Sequence, residues 1–78
     1  MNMISKWLTI TEIGKSDSGK TLIWNVANGD EEFLGYVKWF GKWRKYAFFP
    51  AEDTIFEEEC LRDLSFFCEQ STREHRQK

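Results

Sequence analysis

Four segments of this chain are patterned as strands and one as a helix. The first is 7–13, "WLTITEI", rich in β-branched residues and partly alternating. The second is 21–27, "TLIWNVA", followed by Asn28-Gly29, a dipeptide suited to a tight hairpin. The third covers 33–40 and the fourth 43–49, with Gly41-Lys42 between them. Glycine as the first of two loop residues predicts a type II′ turn. Pro50 ends the fourth strand. Beyond it, Cys60, Leu61, Leu64, Phe67 and Cys68 form an amphipathic helical stripe. Thr54 and Glu57 match a capping box, and Glu57, Glu58 and Glu59 bring negative charge to the helix's positive end. After Gln70 the apolar positions stop, so residues 71–78 read as a flexible basic tail. The expectation is one domain over 1–78, ordered over about residues 5–70.

Two-residue turns place Trp39 opposite Arg44, Val37 opposite Tyr46 and Gly35 opposite Phe48. The preceding hairpin, with Ala27 facing Asp30, sets Trp24 against Phe33. One face then carries Leu22, Trp24, Val26, Phe33, Val37, Trp39, Tyr46 and Phe48, nearly all apolar. That is a core face. Four-residue loops would leave these assignments unchanged, whereas a three-residue loop would flip one strand. The predicted fold is α+β: a four-stranded antiparallel meander with one C-terminal helix packed on the core face. Arg44 ends the apolar face, its guanidinium stacked on Trp39.

The opposite face carries Ile23, Asn25, Ala27, Leu34, Tyr36, Lys38, Phe40, Trp43, Lys45, Ala47 and Phe49. In this register Lys38 and Lys45 face each other directly, a repulsion that solvent or a partner must relieve. Tyr36, Lys38, Phe40, Trp43 and Lys45 are therefore the candidate partner-binding residues. Three readings fit them. Aromatic residues are enriched where proteins meet, which suits a protein partner or self-association. Rings interleaved with lysines also suit stacking on single-stranded nucleic acid. The third reading is plain surface packing, with lysine stems lying over the rings.

Composition changes the picture modestly. The chain has 78 residues, 41% hydrophobic and 17% aromatic, enough for one ring-rich core. The formal charge of −2 weakens the nucleic-acid reading, yet charge is segregated along the chain. Residues 33–51 hold only the cations Lys38, Lys42, Arg44 and Lys45, whereas 52–63 holds six acids and one arginine. No apolar run reaches the ~20 residues of a membrane span, and no signal-peptide pattern opens the chain. The expected setting is the cytoplasm, with reduced thiols.

The chemical motifs point away from an enzyme. Gly14 to Thr21, "GKSDSGKT", matches the P-loop pattern. That chemistry needs a helix after the lysine, and "TLIWNVANG" is a strand followed by a turn. No nucleotide, metal or other cofactor is expected. Cys60 and Cys68 stand eight residues apart, about 12 Å along a helix, beyond disulfide reach. They read as small buried hydrophobes. His75, the sole histidine, lies in the tail without an orienting partner.

The run 34–50, "LGYVKWFGKWRKYAFFP", followed by "TIFEEECLRDLSFF", resembles a group of small uncharacterised phage and prophage-associated proteins. The shared features are Gly35, Lys38-Trp39-Phe40, Trp43-Arg44-x-Tyr46-x-Phe48, Pro50, and Cys60-Leu61-x-Asp63. The likeness covers roughly residues 20–67 and not the 14–19 loop. It implies a small accessory protein that binds a host or phage component, in the host cytoplasm, with no activity attached. Function is thus expected to be non-enzymatic binding through the open aromatic and basic sheet face.

Overall fold

The structure, a computed structural model, describes residues 2–77. Its elements are β1 (Met3–Ile4), β2 (Leu8–Lys15), β3 (Leu22–Asn28), β4 (Phe33–Phe40), β5 (Lys45–Pro50) and α1 (Glu58–Arg76). The strands form one antiparallel sheet in the order β1-β2-β3-β4-β5. The fold is α+β with a C-terminal helix, and it has five strands where patterning predicts four. The added strand, β1, sets Met3 opposite Ile10 and Ile4 opposite Thr9. Two residues are too few to show a period.

Both later hairpins use longer loops than predicted. Across residues 29–32, the Asn28 side-chain oxygen accepts from the amides of Asp30 (2.9 Å) and Glu32 (3.0 Å). Across 41–44, the Phe40 carbonyl accepts from the amides of Arg44 (2.9 Å) and Trp43 (3.2 Å). Arg44 is left-handed there, with φ 56°. The pairing moves accordingly: Trp39 faces Tyr46, Val37 faces Phe48, and Trp24 faces Val37. An even displacement keeps each side chain on its face. Leu8, Ile10, Trp24, Val26, Val37 and Tyr46 are buried together under Leu64 and Phe67 of α1. Arg44 lies in the turn, however, and Tyr46 takes its expected place opposite Trp39.

One strand position departs further. Val26 pairs with Gly35 but Ala27 pairs with Phe33, so an irregularity sits between them. This bulge exposes Phe33, assigned to the core from sequence, and packs its ring on Tyr36 at 4.9 Å. Leu34, assigned to the open face, packs against the core instead. Gly35 makes the arrangement possible. Its φ is 150°, and a Cβ there would lie 2.3 Å from the Phe49 carbonyl oxygen.

The helix is capped by Glu57, whose carboxylate accepts from the amides of Glu59 (3.0 Å) and Cys60 (2.7 Å). Thr54, the predicted cap, donates to the Ala51 carbonyl at 2.8 Å. Phe67 meets Trp24 edge-on at 5.0 Å, and Trp24 meets Tyr46 at 5.1 Å. The helix then continues through residues 71–76, where the sequence reading has a flexible tail. Ser71 and Thr72 are buried, and His75 packs on Trp39 at 4.6 Å. The Thr72 hydroxyl donates to the Cys68 carbonyl (2.8 Å) and accepts from the Tyr46 amide (2.9 Å). It fastens the helix to the outer edge of β5.

Candidate functional site

The face turned away from α1 is built by the outward positions of β3, β4 and β5. Tyr36, Lys38 and Phe40 alternate along β4 and face Phe49, Ala47 and Lys45 of β5. Trp43 follows in the turn, 62% exposed, its ring edge-on to Phe40 at 4.7 Å. Phe40 also meets Phe49 at 6.1 Å. With Phe33 on Tyr36, the aromatic band runs the length of β4. No element of the described chain covers it.

The five sequence-predicted residues thus share one surface, with changed relations among them. Lys38 and Lys45 are diagonal rather than directly opposite, because the four-residue turn moves the pairing by two. Their repulsion is correspondingly weaker. The Lys38 ammonium sits 4.6 Å from the centre of the Phe49 ring, a cation–π contact. Lys45, exposed, stands beside Phe40.

Sequence reasoning missed two contributors. Phe33 joins the band through the bulge, which no residue type in the 28–34 stretch announces. Ile4, 81% exposed, is paired with Thr9 on the same side of the sheet. A third omission lies at the end of the molecule, where Arg76 donates to the Arg44 carbonyl at 3.0 Å. That contact ties Arg76 to the 41–44 turn, and Arg76 and Arg73 line one groove with Lys45, Arg73 being paired with Glu69 at 2.9 Å. The signal for it was present: Ser71, Thr72 and His75 continue the spacing of Leu64, Phe67 and Cys68.

Elsewhere the chemistry is quiet. Cys60 and Cys68 are free thiols. Burial pushes the Cys68 pKa up to about 11, and burial followed by the neighbouring Glu57 raises Cys60. Both stay protonated at neutral pH. In the "GKSDSGKT" stretch Gly14 and Lys15 still belong to β2, and residues 16–21 close the hairpin loop, with the Ser16 amide on the Thr21 carbonyl and the Gly19 amide on the Ser16 carbonyl, each at 2.8 Å. Leu22 then enters β3, so no helix N-terminus follows Lys20. Among the described residues no helix is long and apolar enough to cross a membrane.

No protein-family model and no solved structure matches the chain. It is similar to the "Uncharacterized 9.3 kDa protein" of Acholeplasma phage L2, being 32% identical over 59 residues. The aligned part covers 74% of this chain and 76% of that protein. At that identity and coverage, the chain belongs to the family of this uncharacterised phage protein.

Proposed function

We propose that this is a non-enzymatic phage or prophage accessory protein that binds a protein partner, or a second copy of itself, through the open sheet face. Tyr36, Lys38, Phe40, Trp43 and Lys45 carry the contact, with Phe33 and Phe49 extending it. One observation carries the reading: two sets of contacting rings along β4 and its turn, Phe33 with Tyr36 and Phe40 with Phe49 and Trp43, neighbours where Tyr36 pairs with Phe49, with Trp43 mostly in water. Contiguous apolar surface of this kind marks association sites, and Trp and Tyr are the side chains most enriched at their energetic centres. Phe40 packs edge-on against Trp43 and Phe49, Phe33 is tilted against Tyr36, and Lys38 is engaged by Phe49. That suits a fixed apolar platform better than separate slots for stacked bases.

The test is association measured with Trp43→Ala beside the wild type. Sizing chromatography reports self-association, and a crosslinked, identified partner from infected host cells reports the other case. The variant should lose the association while keeping its melting temperature. Wild-type association by Trp43→Ala would overturn the proposal.

Single-stranded nucleic acid is the second reading, favoured by the exposed cations Lys42, Arg44 and Lys45 that flank Trp43 along the chain. It predicts quenching of tryptophan fluorescence by an oligonucleotide, with affinity falling steeply as salt rises. Absence of quenching at low salt would remove it.

A further inference from the structure

The two ends of β4 carry opposite charge. The turn before it, residues 29–32, holds Asp30, Glu31 and Glu32 and no cation. The turn after it, with the first residue of β5, holds Lys42, Arg44 and Lys45 and no acid. All six residues are exposed. Glu52 and Asp53 add to the acidic end, because they follow Pro50, which pairs with Gly35 near the start of β4. Lys38 is the single charge within β4, and its ammonium lies over Phe49.

Within one copy these charges do not satisfy each other. The eight residues of β4, at about 3.4 Å each, hold the two turns roughly 25 Å apart. That is well beyond the ~8 Å screening length at physiological salt. Among the described residues none of the six turn charges, nor Glu52 or Asp53, takes part in an ion pair. A second copy changes this. Two sheets packed face to face in the aligned manner lie about 10 Å apart with their side chains interdigitated. A two-fold axis can then relate them in two ways. An axis along β4 sets the two β4 strands parallel and brings acid to acid and base to base. An axis across β4 sets them antiparallel, so that each acidic turn meets the other copy's basic turn. The Phe33 and Tyr36 rings of each copy then lie over the Phe40 and Trp43 rings of the other. Only Lys38, near the middle, meets its own kind.

We propose that the open sheet face pairs with a second copy of this chain, face to face, with β4 antiparallel to β4. The 29–32 turn of each copy sits against residues 42–45 of the other. This pairing rests on the open-face reading above and commits it to one occupant. The rings supply the contact area, and the charged turns select the antiparallel arrangement over the parallel one.

The experiment is sedimentation velocity over a concentration series, at low and at physiological salt. It compares the wild type with Trp43→Ala, Glu31→Lys/Glu32→Lys, Lys42→Glu/Lys45→Glu, and the variant carrying all four charge changes. The wild type should dimerise, and less tightly as salt rises. Each single-end variant should dimerise roughly tenfold more weakly, or worse. The four-change variant should recover, because it only exchanges the two ends. Glu31→Lys/Glu32→Lys reverses the sign of the formal charge of −2 and keeps its size, so its loss is not general repulsion. All four positions are exposed, and unchanged melting temperatures check that each variant is folded. A monomeric wild type, or a dimer indifferent to the single-end changes, would overturn the antiparallel pair. Dimerisation lost in Trp43→Ala but unmoved by the charge changes removes this pairing and leaves the open-face reading standing. So does a monomer that a host or phage protein binds through Trp43. A dimer that Trp43→Ala does not weaken removes both.

Discussion

The two faces of the sheet hold aromatic rings in opposite circumstances. On one, Trp24 is wedged edge-on between Tyr46 of the sheet and Phe67 of the helix, and Trp39 stands edge-on to Tyr46 with His75 of the helix tilted against it. On the other, Phe33 with Tyr36 and Phe40 with Trp43 adopt similar ring distances and have no cover. Residue type does not separate the two groups. What separates them is which parity of β3, β4 and β5 lies under α1, and the same ring geometry serves stability on one side and availability on the other.

The largest effect should come from emptying the covered side. Phe67→Ala removes the ring that fills the space above Trp24 and should cost about 3–5 kcal/mol in urea unfolding. That is a large part of the stability such a domain has. Trp43→Ala, on the uncovered side, should cost no more than about 0.5 kcal/mol. Similar losses from the two variants would erase the distinction between the faces.

A finer contrast lies between adjacent buried hydroxyls on the helix. Thr72→Val leaves the Tyr46 amide without its acceptor and should destabilise by about 1–3 kcal/mol. Ser71→Ala deletes a hydroxyl that has no partner among the described residues, and it should leave stability unchanged or raise it. Paired urea titrations of the two variants check this directly.

The smallest effect concerns pH. The amides of Glu59 and then Cys60 hold the Glu57 pKa below its ordinary 4.5. A carboxylate whose folded pKa is depressed contributes fully above its unfolded value. The contribution fades as pH falls through the folded value. Helix content should therefore decline below about pH 4.5, and in Glu57→Gln that part of the acid dependence should flatten.

Much of the architecture was legible because it rests on period. The alternation of Leu22, Trp24 and Val26, and of Val37 and Trp39, fixes a core face that survives the change from two-residue to four-residue loops. The helix register was equally plain from Leu64, Phe67 and Cys68. What escaped depends on contacts distant in sequence or on single residues. The bulge that exchanges Phe33 and Leu34 is set by the close approach of Gly35 to the Phe49 carbonyl, fourteen positions away in the chain. The last helical turns looked like a tail because Ser71 and Thr72 are polar. Thr72 is buried there by serving a strand amide, a partner invisible in local pattern. The candidate surface itself was found nearly whole, since β4 and β5 alternate regularly on both faces.

The bond between Thr72 and Tyr46 bears on how this protein behaves in a crowd. Tyr46 directs its amide away from β4, and by alternation so do Phe48 and Pro50. Thr72 occupies the first of these positions and proline has no amide to offer at the third. A foreign strand approaching β5 would find a single free amide, at Phe48. The other margin is the two-residue β1 and, beyond it, residues 11–15 of β2, where the Asn2 side-chain oxygen takes the Glu12 amide. Neither border offers the long ladder that fibril growth and runaway strand addition require. Strand addition at either border is therefore short, and association through the exposed rings would join faces rather than edges.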